Sequence, residues 1–207
     1  MQVQTLSHPL ARHLLTQLRD ARTQGEAYRS ISKRIGLLLI AQATKNLNVR
    51  DIEVMTPLEK TDGVELELNP LFIPILRAGL GLLPAAQELY PKSTVGFVGM
   101  ARDEKTALPH TYLCKTMDPT GQDVFILDPM LATGGSAVAA IYEIMRIGMP
   151  RSLNLVHVVA SPEGINRIAK EDFPIPMVLT IAQIDRELND RKYILPGLGD
   201  YGDRLFS

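Results

Sequence analysis

Residues Val124-Phe-Ile-Leu-Asp-Pro-Met-Leu-Ala-Thr-Gly-Gly-Ser136 run from an apolar stretch through an acid and a small polar loop into a helical pattern that opens at Ala137. The consecutive apolar positions Val124–Leu127 predict a buried strand. Gly134 and Gly135 let backbone N–H groups approach an anion closely, and Thr133 and Ser136 add hydroxyl donors. A helix starting beyond them turns its positive end toward a phosphate. Asp128, at the strand tip, can accept hydrogen bonds from two adjacent sugar hydroxyls or assist a divalent ion. The letters TGGS alone would read as a turn into a capped helix. The apolar strand before them, the acidic tip and the helix after them favour a phosphomonoester cradle instead.

Outward from this stretch, short apolar runs alternate with helical segments. Leu71–Leu76 precedes Gly81–Leu89, and Thr94–Met100 stands alone. Val124–Leu127 precedes Ala137–Ile147, Leu153–Ala160 precedes Glu163–Lys170, and Met177–Ile184 ends the series. This rhythm predicts an α/β fold, a mostly parallel sheet flanked by helices, in one domain covering residues 1–207. From His8 to about Asn48 the pattern is helical, with Leu10, His13, Leu14 and Leu18 on one face and Ile31, Ile35, Leu38, Leu39 and Ala43 on another. Ala101–Pro119 and Leu195–Ser207 read as irregular. Both could fold over the carboxyl ends of the strands, where open α/β sheets bind ligands.

Bulk properties exclude several roles. The formal net charge of −1 gives no field for nucleic acid or anionic lipid. Cys114 is the single cysteine, which rules out an internal disulfide and a cysteine-based zinc cluster. Met1–Leu10 lacks the pattern of a secretory signal. Apolar stretches such as Gly36–Ala43 fall far short of the roughly 20 residues that span a bilayer. The expectation is a soluble, cytoplasmic protein. His8, His13, His110 and His157 have no metal-ligand spacing, and His157 reads as a core histidine. Gly197-Leu-Gly-Asp-Tyr-Gly202 matches the letters of a dinucleotide fingerprint, but only five residues follow it, too few for the helix and second strand that motif needs.

The stretch Asp128–Ser136 resembles the phosphoribosyl pyrophosphate motif of the type I phosphoribosyltransferases. With Pro129 where most of that superfamily has a second acid, and Ala132 where purine-specific relatives can carry an aspartate, it is similar to the version in uracil phosphoribosyltransferases. Two more segments carry the likeness: Ile73-Pro-Ile-Leu-Arg-Ala-Gly-Leu-Gly81 and the tail Tyr193-Ile-Leu-Pro-Gly-Leu-Gly-Asp-Tyr-Gly-Asp-Arg204. Shorter matches extend it over nearly the whole chain, at Ser7-His-Pro-Leu10, Leu18-Arg-Asp20, Thr56-Pro57, Pro162-Glu-Gly-Ile165 and Ala182-Gln-Ile-Asp185. Read without the resemblance, Arg77 is a solvated arginine at a strand end and Arg102 part of a charged surface loop.

The resemblance implies that uracil and phosphoribosyl pyrophosphate (PRPP) give UMP and pyrophosphate, with catalysis by Asp128, Arg77 and Arg102. It places PRPP on Arg77, Arg102, Asp128, Pro129, Met130, Leu131, Ala132, Thr133, Gly134, Gly135, Ser136 and Asp200. Uracil falls to Ile194, Gly199, Asp200 and Tyr201. Magnesium (Mg2+) is expected to arrive mainly on PRPP, with no protein metal site. A homodimer or homotetramer is implied, with GTP a candidate effector and neither nucleic acid nor membrane as partner. The departures are Ala101 and Leu113, where the family often has tyrosines around its flap, and Lys192 in place of a glycine. Two alternatives remain open at this point: a phosphoribosyltransferase for another base, and a nucleotide-binding regulator that has lost turnover.

Overall fold

The computed structural model describes residues 1–102 and 109–207, with the side chains of Arg102 and Pro109 outside the description. Strand β1 (Gln2–Thr5) leads into helices α1 (Pro9–Arg19) and α2 (Gly25–Ala43). An antiparallel ribbon follows, β2 (Val49–Met55) with β3 (Lys60–Leu66), paired with no other described strand. The chain continues through β4 (Leu71–Leu76), a 3-10 turn (Ala78–Gly81), α3 (Leu83–Leu89), β5 (Thr94–Val95), β6 (Phe97–Arg102) and β7 (Pro109–Lys115). Next come β8 (Asp123–Leu127), β9 (Met130–Leu131), α4 (Gly135–Ile147), β10 (Ser152–Ala160), α5 (Pro162–Ala169) and β11 (Met177–Ile184). A small ribbon, β12 (Glu187–Leu188) with β13 (Ile194–Leu195), and helix α6 (Tyr201–Phe206) complete the described elements.

The main sheet has the order β1-β11-β10-β8-β4-β6-β7, parallel throughout except for the antiparallel β6–β7 pair at its edge. Its central strands β4, β8 and β10 are buried at nearly every position because helices cover both faces. Alternation sorts the side chains. Leu71, Ile73, Val124, Ile126, Leu153 and Leu155 pack with Ala137, Ile141 and Ile144 of α4 and Ile168 of α5. Phe72, Phe125, Leu127, Val156 and Val158 pack on the other side with residues of α1, α2, α3 and α6, among them Leu18, Tyr28, Leu39, Leu83 and Leu205. Each large apolar side chain so buried contributes about 1.5–3 kcal/mol.

Several expectations need correction. Ala101–Pro119 is not wholly irregular: it contains β7, which pairs with β6 so that Ala101 opposes His110 and Leu113 opposes Gly99. Gly99 permits that pairing, since a Cβ there would lie 2.5 Å from the Tyr112 ring. The tail also has structure, because the Asp200 carboxylate accepts from the Asp203 N–H at 2.9 Å and starts α6. Helix α4 begins at Gly135, two positions before the expected Ala137, since Gly134 takes the cap at φ 78°. The buried face of α1 is Ala11, Leu14, Leu15 and Leu18, while Leu10 and His13 are exposed. Pro9 stands at the helix start, and burial of Ala11, Leu14, Leu15 and Leu18 sets which face turns inward. Thr94–Met100 divides at Gly96, where the chain moves from the beginning of β4 to its end. Strand β1 and the ribbon β2–β3 carry no continuous apolar run and are largely exposed. No described helix is long and apolar enough to cross a membrane.

Candidate active site

The loop after β8 is held from behind by β10 and α5. The Pro129 carbonyl accepts from the N–H groups of Val158 and Val159 at 2.9 and 3.0 Å. His157, fully buried, places Nδ1 2.5 Å from the Asp128 carbonyl oxygen. Burial lowers the imidazole pKa to about 4, so the ring is neutral and its Nδ1–H donates to that carbonyl. Further along, the Ser161 hydroxyl donates to the Ala132 carbonyl at 2.6 Å and the Ser161 N–H to the Leu131 carbonyl at 2.9 Å. Gly134 meets two demands at once: its φ is 78°, and a Cβ would stand 2.8 Å from the Gly164 carbonyl.

The result is a cavity of about 210 Å³ lined by Ile75, Leu76, Met100, Asp128 and the run Met130–Ala137, with α4 opening from it. Backbone N–H groups at the start of this helix suit an anion. Asp128 is half-buried at the cavity wall, and desolvation pushes its carboxyl up to about 7 against the small opposing effect of the Met130 N–H. A neighbouring cavity of about 280 Å³ is lined by Met130, Ala132, Arg191, Lys192, Tyr193, Ile194, Gly199, Asp200 and Tyr201. Met130 and Ala132 border both, so the phosphate-loop cavity and the tail cavity adjoin.

Of the candidates named from sequence, Asp128, Met130, Leu131, Ala132, Thr133, Gly134, Gly135 and Ser136 therefore converge on one cavity, and Ile194, Gly199, Asp200 and Tyr201 on the other. Asp200 thus lies at the tail cavity and not in the phosphate loop. Pro129 lines neither and serves as a backbone tie. Arg77 also lines neither, although Ile75 and Leu76 before it do. Its Nη2 donates to Asp203 at 3.1 Å, and its guanidinium lies 5.8 Å from the centroid of Phe206. The turn after Arg77 packs onto the end of β8, where a Cβ on Gly79 would fall 2.3 Å from the Leu127 carbonyl. Arg102 closes β6, and its side chain lies outside the described residues, as does the adjoining Asp103-Glu104.

Other residues hold the tail in place and were not assigned from sequence. Arg204 donates to the carbonyls of Leu18, Leu198, Asp20 and Thr23 at 2.6–2.9 Å, and its guanidinium lies 4.4 Å from the Tyr28 ring centroid. Arg19 forks onto Asp185 and also donates to the Gly197 carbonyl at 2.8 Å, while Asp185 accepts the Gly197 N–H at 3.0 Å. The only sequence signal for Arg19 and Asp185 is their place in the short family matches. Among the described residues no group of three potential metal ligands occurs, and Asp128 is the only acid lining the phosphate-loop cavity.

The family model described as uracil phosphoribosyltransferase matches residues 5–207. A uracil phosphoribosyltransferase of Limosilactobacillus fermentum is 44% identical over 206 residues, covering 98% of this chain and 97% of the relative. One of Streptomyces avermitilis is 41% identical over 208 residues, covering 100% and 98%. The solved structure of the AQ2163 protein from Aquifex aeolicus superposes with a TM-score of 0.92 at 39% identity, covering 99% of this chain and 98% of that one. A hypoxanthine-guanine phosphoribosyltransferase from Bacillus anthracis shares the fold, with a TM-score of 0.53 at 12% identity over 78% and 80% of the two chains.

Proposed function

Because the chain belongs to the uracil phosphoribosyltransferase family, we infer that it transfers ribose 5-phosphate from PRPP to uracil, giving UMP and pyrophosphate. The observation that carries this reading is the adjacency of two cavities, a phosphate cradle with an acid at its wall and a backbone-rich pocket in the tail, meeting over Met130 and Ala132. A substrate with a phosphate at one end and a flat base at the other fits across that junction. Residues 1–207 act as one phosphoribosyltransferase domain in pyrimidine salvage.

In this reading the loop Asp128–Ser136 fixes the 5-phosphate and ribose, and the tail residues Ile194, Gly199, Asp200 and Tyr201 hold the base in line with the anomeric carbon. The exposed backbone of a glycine-rich tail can match the alternating donor and acceptor edge of uracil. Ionised Asp128 stabilises the positive charge that develops on the ribose, and Arg77 and Arg102 neutralise the departing pyrophosphate. A lone carboxylate in a phosphate-sized cavity suits an ion carried in on the diphosphate better than one caged by protein. Bound there, magnesium would supply charge neutralisation on the leaving group. The enzyme works in the cytoplasm as a homodimer or homotetramer, with GTP a candidate effector.

The test is a radiolabelled-base assay with PRPP and magnesium, run against uracil, cytosine, orotate, xanthine and hypoxanthine. Magnesium-dependent UMP formation is the expected result, and GTP added to the same assay tests activation. A purine or orotate reacting about tenfold better than uracil in kcat/KM would reject the assignment of the base. UMP binding without turnover of any base would leave a regulator.

A further inference from the structure

We propose that helix α6 is the positioning element for Arg77, with Asp203 as the seat that restricts its guanidinium beside the phosphate-loop cavity that Ile75 and Leu76 line. This rests on the reading of Arg77 as a pyrophosphate-binding arginine and deepens it. The contact is between segments far apart in the chain: Nη2 of Arg77 reaches Asp203 Oδ1 at 3.1 Å, and the ring of Phe206 lies 5.8 Å from the guanidinium carbon. Asp203 and Phe206 are separated by three positions and therefore share one side of the helix. Tyr201 and Leu205 are buried on its other side, Asp200 caps its start, and Arg204 ties it to carbonyls of the α1–α2 region. The helix is thus anchored without the side chain of Asp203.

A flexible arginine at a strand end would otherwise have many rotamers, most of them pointing away from a diphosphate. Asp203 occupies one arm of the fork. Among the described residues the other arm and Nε have no side-chain partner, and the preceding Leu76 lines the phosphate-loop cavity, so the seat restricts the rotamers of an arginine one position beyond that wall. Both partners are well exposed, at 65% and 73% of their side-chain surface, so the effect belongs to the modest range of solvated ion pairs. The same helix begins with Asp200 and Tyr201, which border the tail cavity, so one short element sets the wall of the base pocket and the aim of Arg77 together.

The experiment is a double-mutant cycle in steady-state kinetics of the full-length protein, with Asp203→Asn, Asp203→Glu, Arg77→Ala and the Arg77→Ala/Asp203→Asn pair. Asp203→Asn should raise KM for PRPP about threefold to fivefold, with kcat and KM for uracil within about twofold of wild type. Asp203→Glu keeps the carboxylate and should restore KM for PRPP. In the Arg77→Ala background Asp203→Asn should have no further effect. Independent multiplication of the two effects, or an Asp203→Asn enzyme whose KM for PRPP is unchanged or lowered, would overturn the seat while leaving Arg77 in its role. An Arg77→Ala enzyme with wild-type kinetics would overturn both.

Discussion

Asp128 shows how the demands of folding and of chemistry conflict in one side chain. Desolvation raises its carboxyl to about 7, yet the proposed chemistry needs it ionised. Asp128→Asn should therefore cost about 10²-fold in kcat, roughly 3 kcal/mol of transition-state stabilisation, while UMP binding changes far less. Wild-type kcat and kcat/KM in the mutant would remove Asp128 from the mechanism. Linkage gives a second expectation of opposite sign. Above its unfolded pKa of about 3.9 the unfolded carboxyl is ionised while the folded one still holds its proton, so its contribution to stability declines as pH rises through about 7. Asp128→Asn should accordingly stabilise the ligand-free protein near about pH 8, by on the order of 1–2 kcal/mol, and much less near about pH 5. Denaturant midpoints of both proteins at the two pH values check this, and an equal shift at both would contradict the linkage. The phosphate loop was legible in sequence because strand, acid, glycines and helix are contiguous. His157 is the core histidine its strand pattern suggests, but its tethering role and that of Ser161 were not legible, because each acts on a carbonyl 29 positions earlier and carries no local mark of doing so.

Among the elements, α6 and the segment before it depend on Arg204 more than on their own helix propensity, since a six-residue helix is too short to stand alone. Its guanidinium satisfies four carbonyls from the α1–α2 region and the tail. Arg204→Ala should lose about 3 kcal/mol of stability, because several partly buried acceptors lose a charged donor at once. The tail cavity should loosen with it, so KM for uracil should rise more than KM for PRPP. Equal changes in both would mean that the tail does not shape the base pocket. The parallel strands and the helices between them were legible because burial on both faces writes continuous apolar runs. Strand β7 is not legible in the sequence because it lies at the sheet edge with Tyr112 and Leu113 partly in solvent, so no apolar run marks it. Helix α6 carries no mark in the sequence because it has only six residues and follows a segment, Pro196–Asp200, with the composition of a loop; the Asp200 cap and the distant contacts of Arg204 order it, and Arg19 holds the segment before it at Gly197.

For the whole molecule, the feature that the described chain leaves unexplained is the ribbon β2–β3. Two strands without a third partner are marginal in water, yet this pair extends seven residues on each side. Its apolar side chains are turned outward: Leu58 at the tip is 94% exposed, Met55 66% and Val64 61%. The pairs Arg50–Glu65 and Lys60–Glu53 lie on solvated surface and contribute at most about 1 kcal/mol each, too little to hold the ribbon. Covering by a second copy of the chain would bury these side chains and account for their composition, in line with the proposed homodimer or homotetramer. Light scattering on the eluted protein should then give a mass of at least two chains. Leu58→Asp with Val64→Asp should shift it toward the monomer, because each places an ionised carboxylate where an apolar contact is expected. The active-site cavities are lined by none of the ribbon residues, so the variant should still bind UMP if the fold persists. A wild-type protein that remains monomeric at assay concentration, or a double mutant whose mass is unchanged, would mean that the ribbon is not the surface on which copies meet.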